Sequence, residues 1–206
     1  MKVVTRDALA DLLLEALDDA ATAATVCGLA ADTRTSEAEP HPRALDAMLR
    51  SVLTPGFDAE WPAVRAKLIQ YGAALENWSG QAGGSTRDVV LQKSVLLFNH
   101  HLFFEVHEVL EPQWMKEQGE IKRFLQGLIQ IAVAFYHLGR GNLAGTRSLL
   151  HEGLIKIAPH APACLGLELQ DFIAGLEKCQ QIISGLSPET CKQFSPDTIP
   201  RMRLVA

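Results

Sequence analysis

The sequence predicts an all-α protein, a bundle of about five helices with an N-terminal helical extension. Three observations predict it. Apolar residues recur three and four apart over long stretches, strand-like alternation is absent, and glycines sit where helix ends are expected. The chain has 206 residues, 48% hydrophobic and 21% charged, which is enough to build a sizeable core and to coat it.

Thr5 is placed to cap a first helix, in which Leu9, Leu12, Leu13, Ala16, Leu17 and Ala20 recur at helical spacing. Residues 28–42 are polar, hold two prolines and read as a loop. A short helix with Leu45, Met48, Leu49 and Val52 on one side follows, and Thr54-Pro55-Gly56 stops it. Asp58 is placed to cap a third helix. Its Trp61, Val64, Leu68, Tyr71, Leu75 and Trp78 form one seam, which reads as helix packing rather than a ligand groove. Residues 79–85 (SGQAGGS) are the clearest linker signal. They divide an N-terminal helical region, 1–80, from the main bundle, 86–186.

The bundle helices are expected to end near Phe98 and to span about 102–116, 120–138, 142–157 and 167–184. Gly119, Gly139 and Gly141 mark ends, and 158–162 (APHAP) is a break. The tail, 187–206, holds Pro188, Pro196 and Pro200 and is expected to be irregular.

Composition excludes some classes of function. The net charge is -5 with lysines and arginines scattered, so nucleic acid is a poor partner. No apolar run is long enough to span a bilayer, and acids interrupt the Ala- and Leu-rich start too often for a signal sequence. The cytoplasm is the expected location. Cys27, Cys164, Cys179 and Cys191 form no CxxC pair, and free thiols in a reducing compartment are expected.

The chemistry concentrates in 98–147. On a helical wheel of about 100° per residue, Phe103, Val106, His107, Leu110, Glu111 and Trp114 fall on one side. Glu105, Glu108, Pro112 and Lys116 fall on the other. The apolar members decide which side is buried, and they carry His107 and Glu111 inward; His107, Glu111 and Trp114 make one ridge. Pro112 lies opposite, where water can reach the carbonyl it orphans. The next helix is apolar nearly all round, and therefore central, except for Gln126, Gln130 and His137 on one stripe. A short Gly119 connection makes the two helices antiparallel neighbours, so the glutamines are expected to meet His107 and Glu111.

Two arrangements satisfy such groups. One is a metal-free hydrogen-bond network. The other is a divalent metal held by His107, Glu111 and a residue of the third bundle helix. HExxH and Glu-x-x-His pairs are absent, so neither the zinc-protease nor the di-iron pattern is met. His101, Glu105 and Glu108 form a second cluster on the face expected to be exposed. His151 and His160 have no evident partners. Arg147 is expected to pair with a carboxylate such as Glu111 or to bind an anion.

These residues resemble a known family. Phe98-Asn99, Phe103-Phe104-Glu105, His107-Glu108, Leu110-Glu111 and Trp114 are similar to the bacterial and archaeal "domain of unknown function 309" proteins, with their HxxxExxW pattern. The match runs on through Gln126-Gly127-Leu128-Ile129-Gln130, Ala132, Tyr136-His137, Gly141-Asn142 and Gly145. The resemblance runs from Val90 or so to Leu154. It implies a compact helical fold and a functional part for His107, Glu111 and Trp114, with metal binding suggested and no reaction assigned. His101 departs from it, standing where the family usually has Gly.

Two functions compete. The first expectation is a non-catalytic binding or interaction module, working with a protein partner or a second copy through the N-terminal helices. The alternative is a metal- or small-ligand-binding protein with hydrolase-type chemistry at His107 and Glu111, with Gln126, Gln130 and Arg147 orienting the substrate.

Overall fold

The computed structural model describes residues 1–35, 59–78 and 85–205. The chain divides into two compact units, Met1–Ala82 and Gly83–Ala206. Among the described residues there are eight α-helices and one sheet of three two-residue strands, so the predicted class is observed.

The first unit holds α1 (Val3–Ala16), α2 (Ala20–Thr35) and α3 (Trp61–Glu76). Leu9, Leu13, Val26, Val64, Leu68 and Tyr71 are fully buried among them. The Trp61 seam is thus a packing seam, and Trp78 Nε1 closes it by donating to the Leu17 carbonyl at 3.0 Å. Two local expectations are corrected. Thr5 does not cap α1 but is buried within it. Helix α2 runs on through Gly28 to Thr35 instead of giving way to a loop, because Ala-rich sequence on both sides of one glycine outweighs its cost of about 1 kcal/mol. The break between α1 and α2 is set by Asp19, whose Oδ2 accepts from the Thr22 amide at 2.7 Å. That bond holds the Asp19 carboxyl below its usual range. The helix expected at 45–52, the Asp58 cap and most of the linker lie outside the described residues.

The second unit holds α4 (Thr86–Asn99), α5 (Phe103–Lys116), α6 (Gly119–Gly139), α7 (Leu143–Ile157) and α8 (Gln170–Ser184). Ser85 and Asp88 start α4 with a reciprocal capping box. The α4–α5 corner is a Schellman turn: the Leu102 amide bonds the Leu97 carbonyl and the His101 amide that of Phe98, both at 2.9 Å. This geometry puts His101 at φ 58°, in the left-handed region that favours glycine. The corner is intact with His101 at that position. Its ring stacks on Phe103, with centroids 5.5 Å apart.

The tail is more ordered than its prolines suggest. Between α7 and α8 lie β1 (Ala163–Cys164) and β2 (Leu167–Glu168), and the tail supplies β3 (Arg203–Leu204), in the order β1-β2-β3 and antiparallel throughout. Strands this short cannot show alternation. The Asn99 amide grips the Met202 backbone in both directions, each bond 2.9 Å. Gly175 leaves room for Pro200: a Cβ there would lie 2.5 Å from the proline's Cβ.

The central helix is α6, with α5 on one side and α7 on the other. Gly127 of α6 and Gly153 of α7 let these backbones touch. A Cβ at Gly153 would lie 2.6 Å from Ile131 Cγ1 and 2.9 Å from the Gly127 carbonyl; one at Gly127 would lie 3.0 Å from the Gly153 carbonyl. A backbone oxygen cannot swing aside as a side chain can. Gly153→Ala should therefore cost about 1–3 kcal/mol despite alanine's better helix propensity. Denaturant unfolding checks this, and a stabilised variant would contradict the close crossing.

Candidate functional site

Helix α5 fixes the candidate site. Its buried residues are Phe103, Phe104, Glu105, Val106, Val109 and Leu110. Pro112 is exposed, as expected. The buried arc is rotated by roughly a quarter turn from the expected one. The side chains of His107 and Glu111 remain 28% and 39% exposed, so the ridge lies on the shoulder of the helix rather than in the core. The reason is that apolar residues nearly encircle the first turns of α5. Val109 and Leu110, with Val106, go inward and leave His107 and Glu111 at the rim.

The imidazole of His107 lies between two carboxylates of its own helix. Nδ1 is 2.8 Å from Glu108 Oε1, and Nε2 is 3.8 Å from Glu111 Oε2. Glu108, expected to face away, is thus its hydrogen-bond partner. Beside it runs an aromatic wall: Phe104 lies 6.2 Å from the His107 ring and 5.7 Å from Tyr136 of α6. At the far end Lys122 lies over the Trp114 ring at 4.7 Å, and Trp114 Nε1 is buried without a hydrogen-bond partner.

The expected meeting with the glutamines is not made. Gln130 Nε2 donates to Glu152 Oε2 of α7 at 2.8 Å, and Ser148 also donates to Glu152, at 3.1 Å. Gln126 is half-buried on α6. His137 Nδ1 lies 3.4 Å from the amide of Asn142, whose oxygen caps α7. The polar stripe of α6 thus turns toward α7, because the glycine crossing brings α7 closest. Arg147 does not pair with Glu111. It donates to the Ile183, Ser184 and Leu186 carbonyls and so closes the C-terminal end of α8, where the helix leaves acceptors unsatisfied.

The second expected cluster also separates. Glu105 is fully buried, not exposed. With Lys93 of α4 it is one of two buried charges described in this unit, and each has a partner. The available signal was Lys93-Ser94 interrupting the buried face of α4, which implies an acid somewhere opposite. Its place in the first helical turn also suits an anion. Among the described residues no group of three or more His, Cys, Asp and Glu is arranged to hold a metal ion. His107 and Glu111 supply two donors, fewer than the three that catalytic zinc sites keep.

Removing a buried charge strands its partner, whereas a rim charge is screened by water. Glu105→Ala should cost about 3–5 kcal/mol, and Glu111→Ala under about 1 kcal/mol. Equilibrium denaturation of the two variants gives the order, and a reversed order would put the wrong acid in the core.

Residues 91–149, from α4 into α7, match the family model described as Domain of unknown function (DUF309). Over those residues the resemblance read from the motif is borne out. The uncharacterized protein YpuF of Bacillus subtilis (strain 168) is 45% identical over 49 residues, 23% of this chain and 28% of YpuF. An uncharacterized protein of Aquifex aeolicus (strain VF5) is 26% identical over 113 residues, 54% of this chain and 34% of that protein. The chain thus spans about a third or less of the length of these curated relatives. The matched stretch contains the whole α5 ridge and all of α6.

Proposed function

We propose that this DUF309-bearing chain is a non-catalytic binding module whose working face is the shoulder of α5. The observation that carries this reading is the imidazole of His107 held between Glu108 and Glu111, in reach of water and beside the Phe104–Tyr136 wall. Two carboxylates around one imidazole form an acidic, hydrogen-bonding patch. The half-buried ring of Tyr136 next to these acids suits a cationic group with an apolar stem, such as a lysine or arginine side chain of a partner protein. Catalysis is not favoured, because the described groups on this face are tied to one another.

The N-terminal helices offer a second contact surface, for a protein partner or another copy of the chain. Val3 and Val4 of α1 are 61% and 57% exposed there. A cytoplasmic location agrees with four free cysteines, and no helix among the described residues is long and apolar enough to cross a membrane. Nucleic acid is not a favoured partner of an acidic chain.

The test is NMR of the His107 ring during titration with short lysine- or arginine-containing peptides. Saturable shifts are expected, weakening with salt and lost in the Glu108→Gln, Glu111→Gln double variant while its melting temperature holds. A divalent ion bound stoichiometrically at His107 and raising the melting temperature would instead establish the metal-centred alternative.

A further inference from the structure

A different group of reactive side chains lies at the other end of α6, with Glu120 inside the family match and His160 and Cys164 beyond it. His160 ends the 3₁₀ turn Ala158–His160, Cys164 lies four residues on in β1, and Glu120 is in the first turn of α6. Cys164 Sγ is 3.9 Å from His160 Nδ1. On the opposite side of the same ring, Nε2 is 3.8 Å from Glu120 Oε2. The His160 ring is fixed edge-on against Phe124, centroids 5.1 Å apart, and its Nε2 is buried without a hydrogen-bond partner. Because the thiol and the carboxylate use opposite ring nitrogens, the three groups cannot converge on one ion. They are instead in the order of a proton relay: thiol, base, orienting acid. Arg87 of α4 adds a cation. Its charge favours the Cys164 thiolate, while burial, the larger effect, pushes the thiol up. The Arg87 guanidinium lies 3.7 Å from Glu117, and its Nε is buried without a hydrogen-bond partner.

The other thiols differ. Cys179 is buried, its thiol pushed up to about 11, and donates to the Thr198 carbonyl. Cys191 donates to the Pro188 carbonyl. Neither has an imidazole among its described contacts.

We infer that Cys164 is a covalent modification site, a thiol activated by His160 and positioned to exchange with small disulfides that carry a carboxylate. His160 Nδ1 takes the proton of Cys164. The sulfur attacks one sulfur of the disulfide, a new S–S bond forms and the old one breaks. The leaving thiolate takes the proton from His160. Cys164 is thereby oxidised into a mixed disulfide with the attacked half, whose oxidation level does not change, and the other half leaves reduced as a free thiol. Negative charge develops only on sulfur, so one base and one cation suffice, and Arg87 is the partner for the carboxylate. Glu120 is a positioning residue: its carboxylate, 3.8 Å from Nε2, faces the positive charge that the imidazole carries while it holds the thiol proton.

The experiment treats the full chain with oxidised glutathione or with cystamine, a disulfide lacking carboxylates, then quenches with acid and maps modified cysteines by mass. Cys164 should react ahead of Cys27, Cys179 and Cys191, and faster with oxidised glutathione than with cystamine. Arg87→Gln should erase that preference. His160→Gln should slow Cys164 by about 100-fold, a usual contribution of a positioned base. His160 packs on Phe124, so Glu120→Gln, altering a side chain that is 72% exposed, serves as the variant that keeps the fold. It should slow the exchange and raise the pH midpoint of the rate, which a purely structural change would not do. Cys164 reacting no faster than Cys191, or an unchanged rate and pH profile in Glu120→Gln, would overturn the assignment.

Discussion

The close crossing of α6 and α7 at Gly127 and Gly153 governs the rest of the second unit. With no Cβ on either side, each carbonyl lies where the other's side chain would begin. Backbones this close gain dispersion along their length and admit Cα–H contacts to carbonyl oxygens. The crossing aims the polar stripe of α6 at α7, so Gln130 finds Glu152 and His137 finds the Asn142 cap. The opposite side of α6 is left to α5. Phe135, packed against Phe98 and Phe103, then sets how far α5 can roll inward.

That rotation decides the character of the site. Had α5 rolled further, a His and a Glu would be sealed in a core, and burial would demand pairing or neutralisation. As it stands, Glu105 takes the buried position and Glu108 and Glu111 stay at the rim around His107. An acid in the core and acids at the rim do different work. The first fixes the packing of α5, and the second leaves a face open to a partner.

Most of the helical pattern was legible because it rests on a period that local sequence carries. The helices α4 to α8 lie where apolar spacing and glycine ends placed them, and the spacing that put His107 and Glu111 on one ridge is observed. What the sequence could not show depends on neighbours. The wheel of α5 has apolar residues on two sides, so its rotation is settled only by what α6 leaves free. Glu105 looked exposed because its buried counter-surface lies on another helix. Cys164 and His160 meet through a turn outside any helix, and Glu120 is far away in sequence. The strands are two residues long and the tail is held by Asn99 and Gly175, contacts with no local signature.

Native-state hydrogen exchange tests the central role of the α6–α7 crossing most directly. Amides on both sides of Gly127 and Gly153 should exchange only through global unfolding and share the slowest class, ahead of those in α5 and α8. Faster exchange at the crossing than at the ends of these helices, by local opening insensitive to denaturant, would contradict it.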